Sequence, residues 1–152
     1  MANKALWSVP SYTCVSALTC AELLTLANAT LSCASAVIFN SSSTAHIYSA
    51  WELQTWIGTG TCAPYLTLYM QPALDLSNFV ASDDKSMPMG TFALTTATST
   101  AGNTMKRVSL VNVTVPPFDF KVALDNQTGQ ALSTALGASQ LRAWLYDVNL
   151  NG

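Results

Sequence analysis

The run Phe118–Asp125 constrains this chain more than any other stretch. Phe118, Phe120, Val122 and Leu124 alternate without a break with Asp119, Lys121, Ala123 and Asp125. Side chains repeat every two residues only in an extended strand, so the run predicts a half-buried β-strand with one apolar and one wet face. Val115-Pro116-Pro117 precedes it, and proline has no amide hydrogen to give to a ladder, so a preceding strand must stop there. Asn126-Gln127-Thr128-Gly129 follows and reads as a turn, with glycine available for positive φ. A second alternating run, Gln140–Tyr146, closes the block, with Gln130–Ser139 looped between the two.

The same pattern recurs upstream. Ala45–Trp56 splits into Ile47, Ser49, Trp51, Leu53 and Thr55 on one face and His46, Tyr48, Ala50, Glu52, Gln54 and Trp56 on the other. Tyr65–Met70, Gly90–Thr98 and Met105–Val115 also alternate, and Leu31–Phe39 holds the β-favouring Val37, Ile38 and Phe39. Cys20–Ala29 fits a helix face and a strand face equally. Gln71–Pro88, with two prolines and the Asp83-Asp84 pair, reads as a surface loop. About seven or eight strands and at most one or two short helices predict an all-β fold, an antiparallel β-sandwich of jelly-roll type. Residues 1–152 are expected to form a single domain, with 1–19 a possible extended N-terminal arm or first edge strand.

Charge narrows the function. Only 9% of residues are charged against about 25% in an ordinary soluble domain. Solubility rests instead on 16 Ser and 18 Thr, which interrupt every apolar run before it reaches the roughly 18 residues of a membrane span. A chain covered by neighbours in an assembly can dispense with the Lys and Glu that guard exposed sheet edges, and a monomer with a Ser/Thr/Asn-rich surface is the alternative. The net charge of −2 and the lack of a basic stripe argue against nucleic acid.

No motif carries chemistry. Cys14, Cys20, Cys33 and Cys62 show no C-x-x-C spacing and only one histidine is present, so no zinc site is expected; the cysteines read as free, buried and small. His46 lacks a recognisable nucleophile partner and reads as a surface or interface residue. Asp83-Asp84 lacks the spaced oxygen ligands of a calcium loop, and Gly58-Thr59-Gly60 is not followed by a phosphate-binding lysine. An unbroken apolar leader core is also absent. No catalytic residue, metal or cofactor is expected. Trp7, Trp51, Trp56 and Trp144 are the interface candidates, since aromatic side chains anchor interfaces as well as cores.

The C-terminal part resembles small virion proteins of tailed bacteriophages. The residues that carry the resemblance are the strand Val111–Val115, the pair Pro116-Pro117, the amphipathic Phe118–Leu124 run into Asn126-Gln127-Thr128-Gly129, and the last strand Leu141–Tyr146; Leu66–Met70 followed by Gln71-Pro72-Ala73, and Met89-Gly90-Thr91-Phe92, fit the same style. Capsid cement (decoration) proteins are of this kind. The resemblance implies a non-enzymatic sandwich on the outside of a phage head, assembled in the bacterial cytoplasm, bound to the major capsid protein and to itself as a homodimer or homotrimer, with no membrane or nucleic-acid partner. Two other readings stay open: a tail tube, tail-tip or fibre subunit, and a carbohydrate-binding sandwich with a Trp51, Trp56 and Tyr48 platform.

Overall fold

A computed structural model describes residues 13–19, 23, 26–32, 34–41, 45–57, 60–61, 65–73, 78–79, 85, 87–94, 98–99, 104–133 and 139–147. Its strands in chain order are β1 (Thr13–Leu18), β2 (Thr30–Leu31), β3 (Tyr48–Ile57), β4 (Gly60–Thr61), β5 (Tyr65–Pro72), β6 (Pro88–Ala93), β7 (Thr98–Ser99), β8 (Thr104–Thr114), β9 (Phe120–Gln127), β10 (Leu132–Ser133) and β11 (Gln140–Tyr146). The alternating runs of the sequence lie on β3, β5, β6, β8, β9 and β11, with boundaries within two residues of those expected, apart from the start of β3, at Tyr48 rather than Ala45, and the end of β6, at Ala93 rather than Thr98.

Two antiparallel sheets carry the fold. Sheet A runs β1-β11-β3, with β8 on the far side of β3 and the short β10 beside its end. Sheet B runs β2-β9-β5-β6. Leaving out β4, β7 and β10 but keeping the short β2, whose line continues along β9 to Ile38, the order is first, eighth, third, sixth in one sheet and second, seventh, fourth, fifth in the other. That is the double Greek key of a jelly roll, as the pattern predicts. One core lies between the sheets: Trp51 and Leu53 of β3 and Leu141, Ala143 and Leu145 of β11 join Leu66, Leu68, Phe92, Phe120, Val122 and Leu124 of sheet B. Each fully buried Leu contributes roughly 1.5–3 kcal/mol relative to exposure.

Three places depart from the alternation rule. The first is the segment 30–38 along β9. The Ser32, Ser35 and Ile38 amides donate to the carbonyls of Leu124, Val122 and Phe120 at 2.8–2.9 Å. The segment therefore advances three residues for every two of β9 and cannot offer a carbonyl at each step. Hydroxyls stand in: the Leu124 and Val122 amides donate to Ser32 Oγ and Ser35 Oγ, both at 3.0 Å. A side-chain oxygen thus completes a ladder that bulges would otherwise leave open.

The second departure is the outer face of β9. A wet face is expected there, yet Ala123 is fully buried and Asp125 nearly so. The cover comes from the segment after β5. Ala73 bridges Phe79, Lys121 Nζ lies 4.5 Å from the Phe79 ring centre, Lys85 pairs with Asp125 at 2.7 Å, and the Met70 amide donates to the Met87 carbonyl. The stretch expected as a surface loop starts as buried strand, Gln71 and Pro72, and its last residue Pro88 opens β6; between them Asn78, Lys85 and Met87 are exposed and outside strands, as expected, while Phe79 and Lys85 reach back over sheet B. Asp83 and Asp84 lie outside the described residues.

The third is β8. Ser49 faces Val113 but Trp51 faces Leu110, so β8 holds one residue more than its partner there. Asn112 takes φ 57° in this bulge, a left-handed conformation asparagine tolerates. Gly129 at φ 80° closes the turn after β9, the positive φ its position predicts. Cys14, expected buried, is exposed, because it sits on the outer face of the edge strand β1 opposite Trp144.

Candidate functional site

The four tryptophans go to different places. Trp51 is 1% exposed, and its indole Nε1–H donates to Ser49 Oγ at 2.7 Å inside the core, so its ring is not on any surface of this chain. Trp144 lies part-exposed on the outer face of β11. Trp56 is a β3 position paired with Met105 and Ser133, and its side chain lies outside the described residues, as does all of Trp7. The expected sugar platform of Trp51, Trp56 and Tyr48 therefore lacks its Trp51 member.

His46 is buried rather than displayed. Its Nδ1 sits 3.0 Å from Asp147 Oδ2, while Asp147 Oδ1 accepts the Ile47 amide at 2.9 Å. Asn40 grips the histidine backbone from the other side. Its Oδ1 accepts the His46 amide at 2.8 Å, and its Nδ2 donates to the carbonyls of His46 and Pro116 at 2.9 and 2.6 Å. Asp119 Oδ1 then accepts the amides of Asn40 and Ser41. The cluster ties the entry to β3, the exit of β8 and the segment before β9 into one knot. The two contacts of Asp147 pin the residues before β3 to the end of β11. Among the described residues no group of three or more His, Cys, Asp or Glu is placed to hold a metal ion. None of the described helical residues forms a span long and apolar enough to cross a membrane.

Two surfaces stay open among the described residues. One is a groove of about 570 Å³ between β6 and β8, which are terminal strands of different sheets on the same side of the sandwich. Met70, Met87, Met89, Leu110, Val111 and Val113 line it together with Pro88 and the polar Asn112 and Thr114, and no charged side chain does. Val111 is 66% exposed and Met87 39%. Gly90 lets the two strands approach this closely, since a Cβ there would meet Leu110 Cδ1 at 2.9 Å. Methionine-rich surfaces adapt to varied apolar partners.

The other is the outer face of sheet A. Tyr48 and Tyr146 face each other across the ladder with ring centres 6.0 Å apart at 29°. The Tyr146 hydroxyl donates to Asn112 Oδ1 at 2.7 Å and accepts the Asn112 amide at 3.2 Å, so the β8 bulge holds the ring. Glu52 and Arg107 pair at 2.8 Å one step further along. Sequence reasoning passed over Asn112 and Tyr146; the bulge that joins them has no signal in period-2 alternation.

No protein-family model matches this chain, and no curated protein matches it. Solved structures give weak likenesses. A carbohydrate-binding module of family CBM36, in complex with calcium and xylotriose, aligns over 77% of this chain and 73% of its own at 17% identity and TM-score 0.39. The Eiger TNF of S. frugiperda aligns over 66% of this chain and 59% of its own at 9% identity and TM-score 0.36. A structure of the Gx strain of infectious bursal disease virus aligns over 90% of this chain and 33% of its own at 15% identity and TM-score 0.24.

Proposed function

We propose that this chain is a non-enzymatic structural protein of a phage virion, a decoration protein on the head that bridges capsid subunits. The observation that carries this reading is the uncharged, methionine-lined groove between the free edges of β6 and β8. Exposed apolar edges are a liability for a free monomer and an asset for a subunit that spends its life covered. The 9% charge content and the phage-like C-terminal third agree with it. The partners are the major capsid protein and further copies of the chain. Repetition of one modest contact over a shell gives avidity without any single strong site.

Light scattering on the purified chain and co-sedimentation with expanded heads test the reading. A discrete dimer or trimer that co-sediments, and loses both properties in Val111→Glu, is the expected result. A monomer that fails to co-sediment overturns it.

A further inference from the structure

We infer that the outer face of sheet A carries a binding cup for a neutral oligosaccharide, with Ala50 as its floor and Trp144, Tyr48 and Tyr146 as its wall. This rests on the geometry of sheet A alone and stands or falls apart from the virion reading.

The register places the residues. Trp144 lies opposite Ala50, Tyr146 opposite Tyr48, and Arg142 opposite Glu52. Neighbouring strands lie about 5 Å apart and same-face residues about 7 Å apart along a strand. Ala50 is therefore a small, part-exposed residue with large rings at its side and on one flank, and Glu52 on the other. On the β8 side, Ala50 meets the bulge, the one level where it has no direct partner.

The chemistry of the cup is mixed in a way that fits a pyranose. One face of such a ring is C–H and sits on an aromatic surface; its edge is hydroxyl and needs both donors and acceptors. The wall supplies the rings. Glu52, already paired with Arg107 at 2.8 Å, keeps lone pairs for a hydroxyl, and Arg142, exposed beside it, supplies donors. The tyrosine part of the wall is held before any ligand arrives, because the two rings stack on each other and Asn112 holds the Tyr146 hydroxyl at both its donor and its acceptor side. Rigid rings spare the ordering cost that weakens most polar sites. Sheet B offers no such place, since Ala123 and Asp125 on its outer face are buried.

The test is NMR on the ¹⁵N-labelled chain, following the indole N–H signals during titration with hexasaccharides of β-1,4-linked glucose, xylose and N-acetylglucosamine. Saturable movement of the Trp144 signal with a Kd of about 0.1–10 mM, and none of the Trp51 signal, is expected for at least one sugar. Trp144→Ala should weaken binding at least about five-fold by calorimetry, and Ala50→Trp should block the cup, both with unchanged circular dichroism. Absence of any shift at the top of the titration overturns the proposal, as does full binding by a folded Ala50→Trp variant. If Ala50→Trp fails to fold, Tyr48→Ala replaces it, with the same loss expected.

Discussion

Asn40 should be worth more to this fold than its size suggests. Replacing it with alanine removes one acceptor and one donor group that together serve three backbone groups: the His46 amide and the carbonyls of His46 and Pro116. Asn40 is 2% exposed and His46 9%, so water does not replace those bonds freely. An unsatisfied buried polar group costs about 1–3 kcal/mol. The amide and two carbonyls, which retain part of their solvation, give a loss of about 3–5 kcal/mol. Asn40→Asp sharpens the argument. It keeps the shape and the acceptor for the His46 amide but turns the donor into an oxygen facing two carbonyls. It should be at least as damaging as alanine near neutral pH. Equilibrium urea unfolding reads both variants, and with a slope of about 2 kcal/mol/M the midpoint should fall by about 2 M at unchanged slope. A loss under about 1 kcal/mol for Asn40→Ala, or an Asn40→Asp variant as stable as the parent, would refute the claim that this side chain ties the segments together.

Three further outcomes follow from the same structure. Trp51→Ala should cost about 3–5 kcal/mol while Trp144→Ala costs about 1 kcal/mol or less, because only the first empties the core; thermal unfolding of the two checks this. Ser35→Ala should cost about 1–2 kcal/mol by leaving the Val122 amide without its hydroxyl acceptor, which faster hydrogen exchange at Val122 than at Phe120 would register. Lys85→Ala should cost about 1–2 kcal/mol by removing the charge partner of the buried Asp125 carboxylate, which keeps the hydrogen bond from Gln127 Nε2, and Lys85→Ala with Asp125→Asn should recover part of that loss in a double-mutant cycle.

The sheets were legible because their signal is local. Phe120, Val122 and Leu124 alternate regardless of what lies beyond them, and β11 was readable to the residue from Gln140 to Tyr146. What lay hidden depends on distant partners. Ala123 and Asp125 look like a wet face until Phe79 and Lys85 cover them, and nothing in their own neighbourhood announces the cover. His46 looks like an exposed strand position until Asn40 and Asp147, the latter 101 residues away, enclose it. Trp51 and Trp144 share a residue type, and here parity within each strand sorts them: Trp51 is in phase with buried Leu53, Trp144 with exposed Arg142.

The order β1-β11-β3 sets a timetable for synthesis. β11 is an inner strand of sheet A, yet it is made last of that sheet, with residues 140–146 following β3 by more than eighty positions. Ribosomes add about 5–20 residues per second, so β1 and β3 emerge and wait several seconds with the place between them empty. Through that interval the apolar faces of both strands are bare. Sheet B can close earlier, since β9 ends at Gln127. A nascent chain of this protein therefore passes through a half-built state with one sheet finished and the other missing its centre, and that state is where a chaperone would be needed and where crowding would do harm.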